Sequence, residues 1–114
     1  MNDFETLDAI VKHAKGNHLD DRMLSVRIPG EPQLRMHDDD VARFLTWGAS
    51  LRRRTVRVDR GNRRSTITAT GLIDCGRRVS VVVDVRTDLI ARHGFAGIVT
   101  ITELDVLNRK TVGV

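Results

Sequence analysis

The N-terminal residues place apolar side chains at the spacing of an amphipathic helix. The positions that share one helical face are Phe4, Leu7, Ile10, Val11 and Ala14. Asn2 is a favourable N-cap, and Glu5 follows it at the three-residue spacing of a capping box. The pattern predicts a helix over residues 3–15, with this apolar face buried and with His13 turned towards solvent.

The next segment alternates like a half-buried strand and is then interrupted by prolines. Leu24, Val26 and Ile28 alternate with polar residues, which predicts a strand over residues 22–28. Pro29 and Pro32 cannot donate to a ladder, so residues 28–36 are expected to form a loop.

A second helix is expected to begin after the acidic triplet of residues 38–40, whose carboxylates suit the positive end of a helix. The positions on its apolar face are Val41, Phe44, Leu45, Gly48 and Leu51, and Trp47 flanks them. Glycine in a helix costs about 1 kcal/mol relative to alanine, so Gly48 indicates close packing against a neighbour. The arginines at positions 52–54 are expected at the C-terminal end, where cations complement the dipole.

After position 54 the period changes from helical to alternating. Three strands separated by short turns at residues 61–62 and 74–76 are typical of an antiparallel meander. A single helical turn is predicted over residues 89–93, and a last strand over residues 97–104, running on towards Leu107. Residues 108–114 show no pattern and are expected to fray.

These elements predict one α+β domain over residues 1–114. The order is α-β-α-β-β-β-(α)-β, and the architecture has two layers. An antiparallel sheet of about four to five strands carries two main helices on one face. At 114 residues, with 40% hydrophobic and 30% charged residues, the chain is long enough and apolar enough to fold around its own core.

Composition also bears on location. No apolar run approaches the roughly 20 residues needed to cross a bilayer, and the acidic N-terminus is unlike a secretory signal. The only cysteine is Cys75, which excludes an intrachain disulfide and favours a cytoplasmic protein, or the host cytoplasm for a phage protein. The 16 arginines against 3 lysines suit a high-GC bacterial or phage genome.

The catalytic inventory is thin, so the chain is expected to be non-enzymatic. No histidine or cysteine has a partner at metal-ligand spacing, and no nucleophile or phosphate-loop motif is present, so we expect no metal or cofactor. The acidic triplet lacks the spacing of a calcium loop. If the protein were an enzyme, the groups to test would be Cys75, Asp84, Asp88 and His93.

Arginine density in the second half is the most unusual feature of the chain. Residues 51–78 contain 9 arginines and 2 acids. Helix ends do not account for those on strands and turns, which are Arg57, Arg60, Arg63, Arg64, Arg77 and Arg78. Arg57, Arg64 and Arg78 are expected on the polar sheet face together with threonines and serine, a surface suited to phosphate oxygens.

Two function classes follow from this surface. The first is a small binding protein whose arginines contact an anion, either a nucleic-acid backbone or a nucleotide phosphate, with the scarcity of aromatics arguing against stacked single strands. The alternative is a protein-interaction module, such as a phage accessory protein or homo-oligomer, whose arginines are only solvated. Its candidate interface residues are Trp47, Val82 and Leu104, although Trp47 is more typical of boundary core.

Overall fold

The computed structural model describes residues 2–19, 25–27 and 30–112, with side chains through Asn108. Its elements are α1 (Asp3–Gly16), β1 (Ser25–Arg27), β2 (Gln33–Arg35), α2 (Val41–Ala49), β3 (Arg52–Asp59), β4 (Arg64–Leu72), β5 (Arg78–Arg86), α3 (Thr87–Arg92), β6 (Gly97–Val99) and α4 (Ile101–Val112). The α+β class and the order of elements agree with the sequence prediction.

The strands form one sheet in the order β1-β2-β5-β4-β3-β6. The β3–β4–β5 meander is confirmed, with β4 and β5 paired along their whole length. The sheet is mixed, because β2 runs parallel to β5 whereas the other neighbours are antiparallel. The described part of the chain thus has six strands, more than the four to five expected.

Alternation along the strands divides the sheet into two unlike faces. The inner face holds the valine, isoleucine and alanine side chains that are buried in one core with residues from all four helices. Gly48 of α2 approaches this face so closely that an added Cβ would lie 3.4 Å from the Cβ of Ala69. No described helix contributes to the opposite, outer face, so the domain has the two layers predicted.

Helix α1 buries a different face from the one its apolar stripe predicted. Phe4 and Leu7 are 84% and 39% exposed, whereas Thr6 and His13 lie in the interior beside Ile10. The expectation that His13 faces solvent is therefore wrong. Burial of an imidazole is tolerable when its nitrogens find partners, and both ring nitrogens of His13 do.

The proline-interrupted segment contains a strand that the sequence pattern missed. Pro32 lies just before β2, where its missing N–H is harmless, and its carbonyl accepts the Ser80 N–H. β2 pairs with β1 on one side and with β5 on the other. Of the strand predicted over residues 22–28, Ser25–Arg27 are confirmed as β1, and the remainder lies outside the described residues.

The arginines at positions 52–54 begin a strand and do not end a helix. Helix α2 ends at Ala49, and β3 begins at Arg52 with a bulge before Thr55. Arg54 alone fulfils the expected capping role, because its guanidinium donates to the carbonyls of Ala49 and Leu51 at 3.2 and 3.3 Å.

The last predicted strand stops at Val99. Thr100 and Glu103 form a reciprocal capping box, in which the Glu103 N–H donates to Thr100 Oγ1 and the Thr100 N–H donates to Glu103 Oε1. Helix α4 follows, and it buries Leu104 and Leu107. The backbone is helical through Val112, within the segment predicted to fray, and residues 113–114 lie outside the described part.

Candidate anion-binding face

The outer face is an open surface of arginines and hydroxyl groups. Cross-strand register places seven arginines and two aspartates on it, together with four threonines and two serines. No aromatic residue lies on this face in the described strands. Its arginines are Arg27, Arg35, Arg52, Arg57, Arg64, Arg78 and Arg86.

Four of these arginines form ion pairs. Arg57 pairs with Asp59 at 3.3 Å, and Arg64 with Asp39 at 3.2 Å. The other two pairs are Arg35 with Asp84 at 2.9 Å and Arg86 with Asp88 at 2.6 Å. We call Arg35, Arg57, Arg64 and Arg86 the paired arginines. They occupy the centre of the face and the end where Arg64 lies opposite Arg86.

The opposite end of the face has no such compensation. Arg52, Leu72 and Arg78 form one row across three strands, and the next row contains Arg27. Arg53 lies beside this end, in the bulge of β3. We call Arg27, Arg52, Arg53 and Arg78 the basic end. None of the four forms an ion pair with any described carboxylate.

The nearby acids of the basic end are turned to other partners. Glu31 accepts a hydrogen bond from the Ser80 hydroxyl at 3.2 Å. The Asp74 carboxylate accepts a hydrogen bond from Asn17 Nδ2 at 3.0 Å and lies 3.2 Å from His13 Nδ1, so it points towards α1. The four arginines of the basic end therefore outnumber the nearby carboxylates, which leaves this end of the sheet with a net positive charge that attracts anions.

The backbone is also strained at the basic end. Arg53 has φ 50°, one of three described non-glycine residues with positive φ. Such a conformation costs of the order of 1 kcal/mol or more. The bulge inserts one extra residue of β3 opposite Gly71, where an added Cβ would lie 2.8 Å from the Arg52 carbonyl oxygen. Bulges re-aim side chains, and Arg53 is exposed without a described partner.

The six arginines selected from the sequence do not form one cluster. Arg57, Arg64 and Arg78 lie on the outer face as expected, but Arg64 and Arg78 are at opposite ends of the β4–β5 ladder. Eight residues of strand separate these ends, about 27 Å. Arg60 is held in the structure by donating to the Phe95 carbonyl at 2.7 Å.

The other two of the six lie in turns. The side chain of Arg63 is exposed and has no described partner. Arg77 is half-buried, and its Nε has no hydrogen-bond partner in the described structure. Sequence reasoning missed Arg27, Arg52 and Arg53. Arg27 lies in a strand whose neighbours are not apparent from the sequence, and the other two were attributed to a helix end.

None of the three candidate interface residues is exposed to solvent. Trp47 and Leu104 are fully buried in the core, so the core alternative for Trp47 is confirmed and the outward position of Leu104 is wrong. Val82 does lie on the outer face, but it is only 2% exposed. The Arg35 side chain begins beside Val82 and ends at Asp84, so its methylene groups lie along the valine.

The groups considered for catalysis lie apart. Asp84 accepts from Arg35 and Thr66 on the outer face, and Cys75 is exposed in the β4–β5 turn. Asp88 begins α3, where its hydrogen bonds with Arg86 lower the pKa of Asp88 below the ordinary value. His93 ends α3 and stacks on Phe95, and its Nε2 has no described partner.

A cluster around His13 was not anticipated. Its Nε2 lies 2.9 Å from Ser50 Oγ, and its Nδ1 lies 3.0 Å from the Asp74 backbone nitrogen and 3.2 Å from Asp74 Oδ1. Asn17 Nδ2 is 3.3 Å from the same Nδ1. The partners are 37 and 61 positions away in sequence for Ser50 and Asp74, so no local pattern indicates them.

The Ser50–His13–Asp74 spacing resembles a hydrolytic triad, but its proton positions differ. In a triad, Nδ1–H donates to the carboxylate and Nε2 accepts the serine proton. Here the Asp74 N–H donates to Nδ1, so the ring proton lies on Nε2 and points at Ser50. The Ser50 hydroxyl donates to the Trp47 carbonyl at 2.6 Å. The cluster fastens three segments together and does not activate a nucleophile.

Other features of the described residues give no further site. A cavity of about 410 Å³ between α1 and the β4–β5 turn is lined by Glu5, Asp8, Ala9, Lys12, His13, Asp74 and Cys75. No three described His, Cys, Asp or Glu side chains are arranged to hold a metal ion. None of the described helices has the length and apolarity to cross a membrane.

Comparison of the chain with protein-family models, curated proteins and solved structures finds no match.

Proposed function

We propose that the protein is a non-enzymatic binding module that contacts the phosphate backbone of a nucleic-acid duplex through the basic end of its outer face. The single observation that supports this most is the separation of the arginines into a paired set and an unpaired set. Guanidinium groups without carboxylate partners bind phosphate oxygens by charge-assisted, often bidentate, hydrogen bonds. The exposed hydroxyl of Thr55, in the row next to Arg52, provides a further donor.

Two properties of the outer face favour a duplex over other anions: the absence of aromatic side chains in its described strands, and its width. Single strands usually stack on aromatic side chains, which the described strands do not provide on this face. Arg27 on β1 and Arg52 on β3 are four strand spacings apart, about 19 Å, which is wider than the phosphates of a single nucleotide. This role is consistent with a phage or bacterial accessory protein of the cytoplasm.

The proposal is tested with a labelled DNA duplex at low salt. Arg78→Gln is expected to raise Kd roughly three- to tenfold, as for the removal of one exposed charge-assisted hydrogen bond. Arg86→Gln is the matched control, because it changes net charge equally at the paired end. Equal effects of the two substitutions, or tighter binding of single-stranded DNA or free nucleotide than of the duplex, would contradict the proposal.

A second candidate function is supported by exposed apolar side chains. Phe4 of α1 is 84% exposed and Ile98 of the edge strand β6 is 69% exposed. Such positions favour a protein-interaction module or a homo-oligomer. Light scattering over a range of protein concentrations tests this candidate, and a mass that stays at the monomer value counts against homo-oligomerisation.

A further inference from the structure

Strand β6 forms one edge of the sheet and carries an exposed apolar side chain at its centre. Ile98 is 69% exposed and lies on the outer face beside Arg57. No charged residue occurs in the stretch 94–102 that contains the strand. The other edge strand, β1, carries the exposed Arg27. Charge on an edge strand commonly prevents pairing with other chains, and β6 lacks this protection.

The backbone groups of Ile98 point to the open side of β6. The Arg63 carbonyl accepts the Thr87 N–H at one end of the β4–β5 ladder, so odd-numbered residues of β4 bond to β5 and even-numbered residues bond to β3. The β3 residues opposite those even-numbered positions are odd-numbered, so Val56 and Val58 bond to β6. Ile98, which lies between their two partners, therefore directs its N–H and carbonyl away from β3. No hydrogen bond from a described residue reaches either group.

We infer that β6 is the interface of a two-fold homodimer, in which it pairs antiparallel with β6 of a second copy about Ile98. Residues directly opposite each other in a hydrogen-bonded antiparallel pair exchange both of their N–H···O bonds. Ile98 and the partner's Ile98 exchange bonds in this way, and their side chains meet on the outer face. The edge is thus complementary to itself under two-fold rotation.

The pairing is confined to a short segment, which favours a closed dimer. Thr100 ends the open edge, because its N–H donates to Glu103 Oε1 and its carbonyl accepts the Leu104 N–H. Beyond this point the chain turns into α4 and leaves a cavity of about 430 Å³ beside the start of β3. Pairing about Ile98 brings residues 95–96 of the second copy to the level of this cavity, which gives them room.

Charge favours a second copy as the partner of this edge. The chain has a net charge of +4, so two copies repel each other at most surfaces, but the residues around β6 are uncharged. At one end of β6, Arg60 donates to the Phe95 carbonyl at 2.7 Å, and at the other end Glu103 is exposed in the first turn of α4. Two-fold rotation exchanges these ends and brings Arg60 towards the partner's Glu103. Arg54, on the same side as Glu103, is turned to the carbonyls that end α2.

The dimer places both basic ends on one side of a continuous sheet, a consequence that rests on the proposed function. A two-fold axis between antiparallel strands is perpendicular to the sheet, so the two outer faces point the same way. Arg52 and the partner's Arg52 are then three strand spacings apart across the sheet and about eight residues apart along it, in total about 30 Å. One turn of a duplex is about 34 Å, so both basic ends can contact one duplex.

Ile98→Lys and Phe4→Lys distinguish β6 from the other exposed apolar surface, on α1. Each adds one positive charge at an exposed side chain, so neither should disturb the fold of the monomer. Sedimentation of the wild-type protein between about 10 μM and 1 mM should show a mass that rises towards twice the monomer value. I98K should raise the dimer Kd at least about tenfold, because the two lysines face each other across the axis, and F4K should leave it unchanged. A wild-type mass that stays monomeric, or an equal loss of dimer in F4K, would overturn the inference.

Hydrogen exchange of the wild-type protein supplies a second measurement, which decides the inference if I98K fails to fold. Protection of the Ile98 amide should increase at least about threefold from the dilute to the concentrated sample. The Val99 amide, which bonds to β3, should be protected in both samples and is the internal control. An Ile98 amide that exchanges freely while the dimer is populated means that another surface forms the dimer, and the inference is then wrong.

Duplex binding separates this inference from the proposed function. At low salt, I98K should bind a duplex of about 20 base pairs at least about threefold more weakly than F4K, which has the same net charge, because only a dimer engages both basic ends. Dimerisation through β6 without duplex binding would uphold the inference and remove the proposed function. Equal duplex affinity of the two variants, with dimerisation through β6 established, would show that the two basic ends do not act together and would overturn that consequence.

Discussion

At the scale of single residues, the close approach of neighbouring atoms explains two buried glycines. An added Cβ at Gly71 would lie 2.8 Å from the Arg52 carbonyl oxygen and 2.9 Å from Leu51 Cβ. An added Cβ at Gly48 would lie 3.0 Å from Ile101 Cδ1, the movable end of a flexible side chain. The need for close packing at Gly48 was predictable from its place on the apolar stripe. The need at Gly71 was not, because it depends on the bulge in β3.

Gly71→Ala is therefore expected to lower the free energy of unfolding by about 2 kcal/mol, the usual cost of forcing an extra group into a packed site. Gly48→Ala should change it by less than about 1 kcal/mol, because the gain in helix propensity offsets a small shift of Ile101. Urea unfolding of the two variants measures both values. A larger loss for G48A than for G71A would contradict this description of the bulge.

At the scale of elements, periodicity predicted α1, α2 and the β3–β5 meander because each has a long repeating pattern. It failed where the decisive interaction is remote or where a local signal was overlooked. β2 has three residues and depends on pairing with β5, about 47 positions away, which no local pattern shows. The start of α4 was readable, since residues 100–103 have the Thr-x-x-Glu spacing of a capping box.

Thr100→Ala tests this junction. It removes the Oγ1 acceptor of the Glu103 N–H and should lower the free energy of unfolding by about 1 kcal/mol, a typical loss for an N-cap. Thr102→Ala, at an exposed position in the first turn of α4, is the matched control and should leave stability unchanged or slightly raised. Thermal unfolding compares the two, and equal losses would count against a capping role.

At the scale of the whole molecule, alternation correctly placed arginines and hydroxyls together on the outer face. Arg57 and Arg86 pair with carboxylates two positions away, but alternation did not show the other two neutralised arginines, because their carboxylates are remote in the sequence. Arg64 meets Asp39 at a separation of 25 positions, and Arg35 meets Asp84 at 49. The structure thereby changes the candidate site from six arginines spread over strands and turns to four at one end of the sheet.

The most direct test of this account is the salt dependence of duplex binding for two double variants that change net charge equally. The slope of log K against log salt counts the phosphates neutralised. R53Q/R78Q, at the basic end, should reduce the magnitude of that slope by about two, roughly one for each phosphate that the variant no longer neutralises. R57Q/R86Q, at the paired arginines, should leave it nearly unchanged. Equal slopes for the two double variants, or wild-type binding that does not vary with salt, would contradict the account.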